Sequence, residues 1–398
     1  MPTAPFLSAL IVNYNSAALT RDCVSSLRTQ RLFRPDGTPG EVEILVVDNA
    51  SQPGDRALLD DIEATVLYHD DNRGYGAALN TAFSHARGEF ILFSNPDTWY
   101  FPGAVPTLID AYGRLPHCGA VGPRLWWDRN QNFLLPPGDP VTLLTYLQET
   151  AAHLWPRWRR HWERRWLDWA LAYWQVQQPS LQAMLSGACI LTRREVLTAC
   201  GGFDEQFHLY YEDTDWCRRV RQHGYRLYYV PMADVAHLYN QSARHDPVAA
   251  ERAFTASAER YFHKYYGAWR WKLASSIAAA LHSRFRAPAG TKDYEALGPF
   301  SEPPRFSLPL DRQAHFLFLL SPLPSCTPAI ARFASAPELS LPPNVWRQLG
   351  EGTFYTRCFS QPRLQLLGQW CWEKRSGRGE NNKDEKTQPV LDDLTCSR

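Results

Sequence analysis

Neither sign of charge dominates this chain: 42 Lys and Arg stand against 41 Asp and Glu, a formal net charge of +1 at pH 7. So balanced a composition makes no global field to gather nucleic acid or another polyanion. The nine cysteines are scattered, odd in number and without a CxxC pair. That spacing argues against a disulfide framework and a structural zinc site, and it fits a reducing cytoplasm. No run reaches the roughly 18 apolar residues of a spanning helix. The opening residues MPTAPFLSALIVNYN have no basic n-region, and their short apolar run reads as a first strand rather than a signal peptide. A GxGxxG turn after that strand is also missing, which disfavours a nicotinamide-dependent oxidoreductase.

What the sequence does have is alternation. Leu7–Asn13, Glu43–Asp48, Thr65–His69 and Glu89–Ser94 read as short apolar strands, and 17–30, 55–64 and 75–86 carry helical spacing between them. Four adjacent apolar residues, Phe90-Ile91-Leu92-Phe93, suit a strand buried on both faces. Strands separated by helices predict a parallel, doubly wound α/β sheet with its ligand crevice beyond the carboxyl ends of the strands. Further on, 119–127, 183–192 and 225–230 are strand-like, 193–199 and 213–222 helical, and 248–286 reads as two helices. Residues 1–245 are expected to form the main domain with a helical insert at 141–178, followed by a helical extension at 246–298. A small β-rich module at 299–373 and a disordered tail at 374–398 complete the expected organisation.

Polar residues gather where those strands end. Asp48 closes the second strand, where a carboxylate can accept a hydrogen bond from a uracil or thymine imide or a ribose hydroxyl, or else cap the next turn. Asn13 and Asn15 follow the first strand, in positions that asparagine also takes in plain turns. The loop Asp71-Asn72-Arg73-Gly74-Tyr75-Gly76 opens a helix bearing Asn80. Its glycines allow close backbone approach and Arg73 can meet a phosphate. Asn95-Pro96-Asp97 can hold an oxygen-loving cation such as Mg²⁺ or Mn²⁺, or can simply be an Asx turn. Glu212, Asp213 and Asp215 lie within four residues; they are either first-turn charges favoured by the helix dipole or include a general base of raised pKa. His237 stands alone after the strand at 225–230.

The order of these pieces is more specific than any one of them. The succession IVNYN, LVVDNAS, NRGYGAALN, NPDT, SGACILTRREVL, GGFDEQFHLYYEDTDWCRRVRQHGY and VAHLYNQS resembles the inverting family 2 glycosyltransferases, in particular their bacterial rhamnosyltransferase-like branch. The resemblance covers about residues 7–245. It implies a GT-A fold, a Rossmann-like nucleotide-diphospho-sugar transferase fold, here with helical additions. It also implies a reaction: a sugar, rhamnose among the candidates, passes from a dTDP- or UDP-sugar to a hydroxyl of a glycan or lipid-linked acceptor in cell-surface polysaccharide synthesis. By the same resemblance Asp48 looks like the acid that meets the base, with Asn13, Asn15, Arg73, Gly74, Asn80 and Asn95 along the nucleotide. Asp97 looks like the metal-binding acid of a DxD motif whose first acid is here Asn95, and His237 like a residue completing the metal site for Mg²⁺ or Mn²⁺. Asp213 looks like the catalytic base, with Glu212 beside it. A catalytically silent nucleotide-sugar or glycan-binding protein of the same fold is the rival reading.

Six of the 15 tryptophans fall between 155 and 174. Trp155, Trp158, Trp162, Trp166 and Trp169 recur at helical spacing among Arg157, Arg159, Arg160, Arg164 and Arg165. Such a helix can lie on an anionic membrane surface or pack into a core. With the basic, partly apolar segment 268–286, it leads to the expectation of a peripheral protein at the inner face of the cell membrane.

Overall fold

The computed structural model describes residues 4–238, 247–284, 293–308, 315–335 and 338–375. The expected tail at 374–398 lies outside the described residues except for Lys374 and Arg375. The chain forms two compact units. One comprises Met1–Trp126, Pro137–Leu143 and Gln175–Lys272; the other comprises Trp127–Pro136, Leu144–Trp174 and Leu273–Arg398.

The first unit is built on a nine-stranded sheet. Its elements are β1 (Leu7–Asn13), α1 (Ala17–Arg28), β2 (Val42–Asp48), β3 (Thr65–Tyr68), α2 (Tyr75–His85), β4 (Phe90–Ser94), β5 (Thr98–Tyr100), α3 (Ala104–Arg114) and β6 (Cys118–Trp126). After an excursion into the second unit come β7 (Ser180–Gln182), β8 (Cys189–Arg193), α4 (Arg194–Cys200), α5 (Glu212–Gln222), β9 (Arg226–His237) and α6 (Pro247–Tyr266). The strands lie in the order β3-β2-β1-β4-β8-β6-β9-β5, with β7 beside β9. Every residue of β1 and β4 is buried, as suits mainly apolar central strands covered on both faces.

The sheet is mixed, not wholly parallel as the alternation of elements had suggested. β1 runs parallel to β2 and β4, but β8 lies antiparallel between β4 and β6, and β5 antiparallel to β9. A helical crossover favours parallel return. β8 instead re-enters the sheet after the long excursion that follows Trp126, so no such crossover sets its direction. The helix expected at 55–64 reduces to Pro53–Arg56 and a single 3₁₀ turn, Ala57–Leu59. The strand expected at 183–192 keeps only its second half; Met184–Ala188 is a loop. Conversely, β9 runs well past Val230, and its pairing with β6 shifts register between Val230 and Asp234. Pro231, which cannot donate to a ladder, sits in that irregularity. Beyond it the strand resumes and sets His237 opposite Thr98.

Helix α5 is fastened by its buried acid, Asp215, which is 0% exposed. Arg219 Nε donates to Asp215 Oδ2 at 2.8 Å, Lys264 Nζ meets Oδ1 at 2.5 Å, and the Tyr265 hydroxyl donates to Oδ1 at 2.7 Å. The Arg219 guanidinium also donates to the carbonyls of Cys200, Gly201 and Gly202, where α4 ends. One carboxylate thereby joins α5 to α4 and α6.

In the second unit a five-stranded sheet takes the order Glu295–Phe300, Leu366–Lys374, Gly352–Ser360, Phe316–Ser321, Ile330–Ala334. Phe316–Ser321 is buried throughout. Residues of the helix Pro156–Gln175 and of the segment Trp127–Pro136 are tied into this unit. Arg357 donates to Glu163 at 2.8 Å, Trp174 Nε1 donates to the Leu135 carbonyl at 2.8 Å, and Leu134 bridges Ala331. The tryptophan helix divides in two along its length: Trp166 and Trp174 are buried, whereas Trp155 and Trp158 are 44% and 37% exposed. Among the described residues, no helix is long and apolar enough to cross a membrane.

Removing the carboxylate of Asp215 leaves the partly buried Arg219 without an acid and Lys264 with Asp204 alone. Asp215→Ala is therefore expected to lower unfolding free energy by about 3–5 kcal/mol in urea titration. A loss below about 1 kcal/mol, the range of an exposed pair, would mean that the clamp does not hold α5.

Candidate active site

β1 and β2 end side by side, with Asn13 paired to Asp48 in register. Asp48 is fully buried: Oδ1 accepts from Asn13 Nδ2 at 2.9 Å, and Oδ2 accepts from Arg56 Nε at 2.5 Å. Asn13 Nδ2 also reaches Ser51 Oγ and Asp55 Oδ2, and Asn13 Oδ1 accepts from Thr20 Oγ1. Asn15 has φ 50° and accepts the Gln52 amide. Both asparagines thus hold turns together. Arg56, which neutralises Asp48 and lies 5.2 Å from the Tyr68 ring centroid, was not singled out in the sequence.

The loop before α2 hangs on Asn49. Its Nδ2 donates to Asn72 Oδ1 and the Gly74 carbonyl, and its Oδ1 accepts the Arg73 amide. The Arg73 guanidinium is half exposed and pairs with Asp71 at 3.1 Å. Gly74 has φ +90°, and a Cβ there would stand 2.5 Å from the His208 carbonyl oxygen, so only glycine fits. Asn80 uses both ends of its amide on the backbone of Phe203, at 2.8 and 2.9 Å.

β4 delivers the next group. Asp97 and His237 are each 7% exposed, and His237 Nε2 lies 3.3 Å from Asp97 Oδ1 and 3.2 Å from Asn95 Nδ2. Residues 142 apart in sequence meet here because β5 pairs with the far end of β9. The Tyr75 hydroxyl donates to Asn95 Oδ1 at 2.7 Å. Burial, reinforced by the charges of Glu212, Asp213 and Asp97, pushes the Tyr75 phenol well above its usual pKa, so it remains a donor. Tyr75 is the site residue that motif reading passed over, although it stands inside the quoted NRGYG stretch.

Asp97 and His237 present one carboxylate and one imidazole, and no group of three or more His, Cys, Asp or Glu that could hold a metal ion occurs among the described residues. That donor set fits Mg²⁺ or Mn²⁺ held with phosphate oxygens and water, since such ions commonly take one or two protein carboxylates and complete their shell from the substrate.

The acids of α5 follow two left-handed residues, Tyr210 at φ 68° and Tyr211 at φ 67°. Such backbone costs about 1–3 kcal/mol per residue and persists only where surroundings fix it. Here Tyr210 and Tyr211 pack on Phe254 at 5.6 and 5.3 Å, and Tyr211 also on Tyr261 at 5.4 Å. The turn seats Glu212 and Asp213 at the helix N-terminus. Asp213 is half-buried, and its Oδ2 accepts the Gly187 amide at 2.9 Å. A Cβ on Gly187 would come within 2.8 Å of that oxygen, so the loop between β7 and β8 must carry glycine there. Glu212 is 6% exposed and its Oε2 has no hydrogen-bond partner among the described residues. Burial and then the adjacent Asp213 push the Glu212 carboxyl up to about 8, and burial likewise raises Asp213. The chemistry on offer is a half-buried proton acceptor, a protonated acid beside it, and a cation-holding pair at Asp97 and His237.

Comparisons with known proteins agree on a family. Residues 8–200 match the model for glycosyl transferase family 2, and residues 141–337 match that for glycosyl transferase family group 2. An N-acetylglucosaminyl-diphospho-decaprenol L-rhamnosyltransferase of Mycobacterium tuberculosis (strain CDC 1551 / Oshkosh) is 30% identical over 271 residues, 63% of this chain and 85% of that protein. A pre-mycofactocin glycosyltransferase of the same organism is 26% identical over 260 residues, 65% of this chain and 47% of its own length. Among solved structures, a mannosyltransferase of Pyrobaculum calidifontis in complex with GDP-Man and Mn²⁺ matches 71% of this chain and 76% of its own at 20% identity, with a TM-score of 0.40. The motifs expected from the sequence resemblance, the mixed α/β sheet and these matches converge: this chain belongs to the family 2 glycosyltransferases and has their GT-A fold.

Proposed function

We propose that the protein moves a sugar, rhamnose first among the candidates, from a dTDP- or UDP-sugar to a hydroxyl of a lipid-linked or glycan acceptor, with inversion at the anomeric carbon. The observation that carries this reading is the half-buried Asp213, held by the Gly187 amide and adjacent to Glu212, whose charge acts together with that of Asp97 on the Tyr75 phenol that donates to Asn95. The donor nucleoside lies over the ends of β1 and β2, near Asp48 and Arg56, and its diphosphate reaches towards the Gly74 loop and Asp97. The acceptor hydroxyl attacks the anomeric carbon on the face opposite the diphosphate. A new C–O bond forms as the bond to phosphate breaks, and Asp213 takes the hydroxyl proton. Glu212, protonated at neutral pH, limits charge repulsion beside that base. Asp97 and His237 would hold a divalent cation, which when bound would supply positive charge to offset that of the leaving nucleoside diphosphate. The M. tuberculosis relative named for a diphospho-decaprenol acceptor supports a lipid-linked substrate here.

A lipid-linked substrate calls for contact with a membrane. Exposed Trp155 and Trp158 stand beside exposed Arg157 and Arg160, a pairing of interfacial aromatics with cations that suits an anionic bilayer. Trp269, Leu273 and Ile277 form a second exposed stripe at four-residue spacing. We place the enzyme at the inner face of the cell membrane on these grounds.

Asp213→Asn should abolish transfer while nucleotide binding by calorimetry stays nearly intact; Asp97→Ala should weaken both, and substantial transfer by the Asp213→Asn enzyme would remove Asp213 from its role. The Glu212 carboxyl binds its proton more tightly folded, at about 8, than at its ordinary value of 4.5. Its stabilising contribution is therefore complete below pH 4.5 and lost as pH rises through 8. Thermal melts from pH 5 to 8 should show a decline in wild type that is shallower in Glu212→Gln; parallel curves would contradict the assignment. Co-sedimentation with phosphatidylglycerol vesicles at low salt should fall in the Trp155→Ala/Trp158→Ala variant, and equal binding by the two proteins would return the helix to a packing role.

A further inference from the structure

Beside the base lies a second hollow. A pocket of about 560 Å³ in the first unit is walled by Met184, Thr214, Arg218, Arg221, Tyr261 and Tyr266, among others. It adjoins Asp213 directly: the Thr214 amide and hydroxyl both donate to Asp213 Oδ1, at 2.7 and 3.3 Å, and the Thr214 hydroxyl touches Met184 Sδ at 3.4 Å. Positions 214, 218 and 221 share one face of α5, and the two arginines lie about 6 and about 10 Å along the axis from Thr214.

The two arginines are not matched by acids. Arg218 donates to the hydroxyls of Tyr261 and Tyr266 at 3.2 and 3.5 Å, and its guanidinium lies 3.8 Å from the Tyr265 ring centroid. Neither Arg218 nor Arg221 forms an ion pair with a carboxylate among the described residues, whereas Arg219 between them is paired with Asp215. Cations near a helix C-terminus are favourable by themselves, and that accounts for an exposed Arg221. It does not account for Arg218, half-buried and oriented by tyrosines alone, since a partly desolvated guanidinium is normally met by a carboxylate or a phosphate.

We infer that this pocket receives a phosphate or diphosphate group of the acceptor, with Arg218 and Arg221 as its ligands, so that the acceptor hydroxyl is delivered to Asp213 by the anion that links the sugar to its carrier. The inference rests on the transfer reaction proposed above and names the half of the site that takes the acceptor. The tyrosine walls leave Arg218 pre-oriented, so its forked donors lose little freedom on meeting phosphate oxygens. An acceptor lacking the anion has the same hydroxyl but no grip in this pocket.

The test uses the full chain and two acceptor probes carrying N-acetylglucosamine, one as a farnesyl diphosphate conjugate and one as an uncharged octyl glycoside. Each is titrated without donor, and UDP and dTDP binding is measured in the same proteins. Arg218→Gln and Arg221→Gln are each expected to weaken the diphosphate probe by about 10- to 100-fold, the loss of a charged hydrogen bond, with little effect on the octyl glycoside or on the nucleotides. Competition by inorganic pyrophosphate against the farnesyl probe supports recognition of the anion itself; no competition, with both variants unaffected, overturns the assignment. Equal weakening of both probes also overturns it, because the arginines would then act on the sugar or on the fold. Arg221→Glu, at an exposed position, guards against a folding defect and should weaken only the charged probe. If wild type binds the diphosphate probe through these arginines but binds neither UDP nor dTDP, the nucleotide-sugar reading fails while the anion pocket stands.

Discussion

The placement of the active acids depends on a carboxylate that takes no part in the proposed chemistry. Asp215 is buried in contact with Arg219, Lys264 and Tyr265, and Arg219 carries the connection on to the end of α4. Such an ion cluster contributes little as net stabilisation when compared with an apolar replacement, but it is costly to break from one side. Its consequence is positional. With α5 fixed in rotation, Asp213 meets the Gly187 amide, residue 214 faces the neighbouring pocket, and the two left-handed tyrosines before them stay packed on Phe254.

From that fixed helix follows the electrostatics of the site. Two adjacent carboxyls at one helix N-terminus, one deeply buried and one half-buried, cannot both ionise freely. The dipole of α5 and the Gly187 amide favour charge on Asp213, while Glu212 sits where an unpartnered oxygen is more easily kept protonated. Tyr75 lies between this pair and the Asn95, Asp97 and His237 group, and its raised pKa keeps it a hydrogen-bond donor across the range in which the acids titrate. On the same helix Thr214, Arg218 and Arg221 line the pocket next to Asp213, so in the reading proposed above the base and the anion grip on the acceptor would belong to one element.

Asparagine illustrates how ambiguous single residues were. Asn13, Asn15 and Asn80 were all grouped with the nucleotide by resemblance, and in the fold their side chains bind backbone and side chains of neighbouring turns. Such bonds hold these loops together through the protein's own partners. Asn49, by contrast, organises the Gly74 loop and drew no attention in the sequence, because a hub is defined by partners at 72, 73 and 74 that only folding brings near.

The sequence by itself determined the central strands, since an unbroken apolar run such as Phe90–Phe93 is best satisfied in a sheet covered on both faces. It also determined the family, because the order of seven short motifs is a property of the chain and survives without coordinates. Only the tertiary structure decided the direction of β8 and the reach of β9 past Pro231, which brings His237 to Asp97. It alone divided the tryptophan helix into a buried half and an exposed one. The physical reason is common to all of these: hydrophobic periodicity records which face of an element is buried, whereas pairing, rotation and the company of a charged group are set by residues far away in the chain.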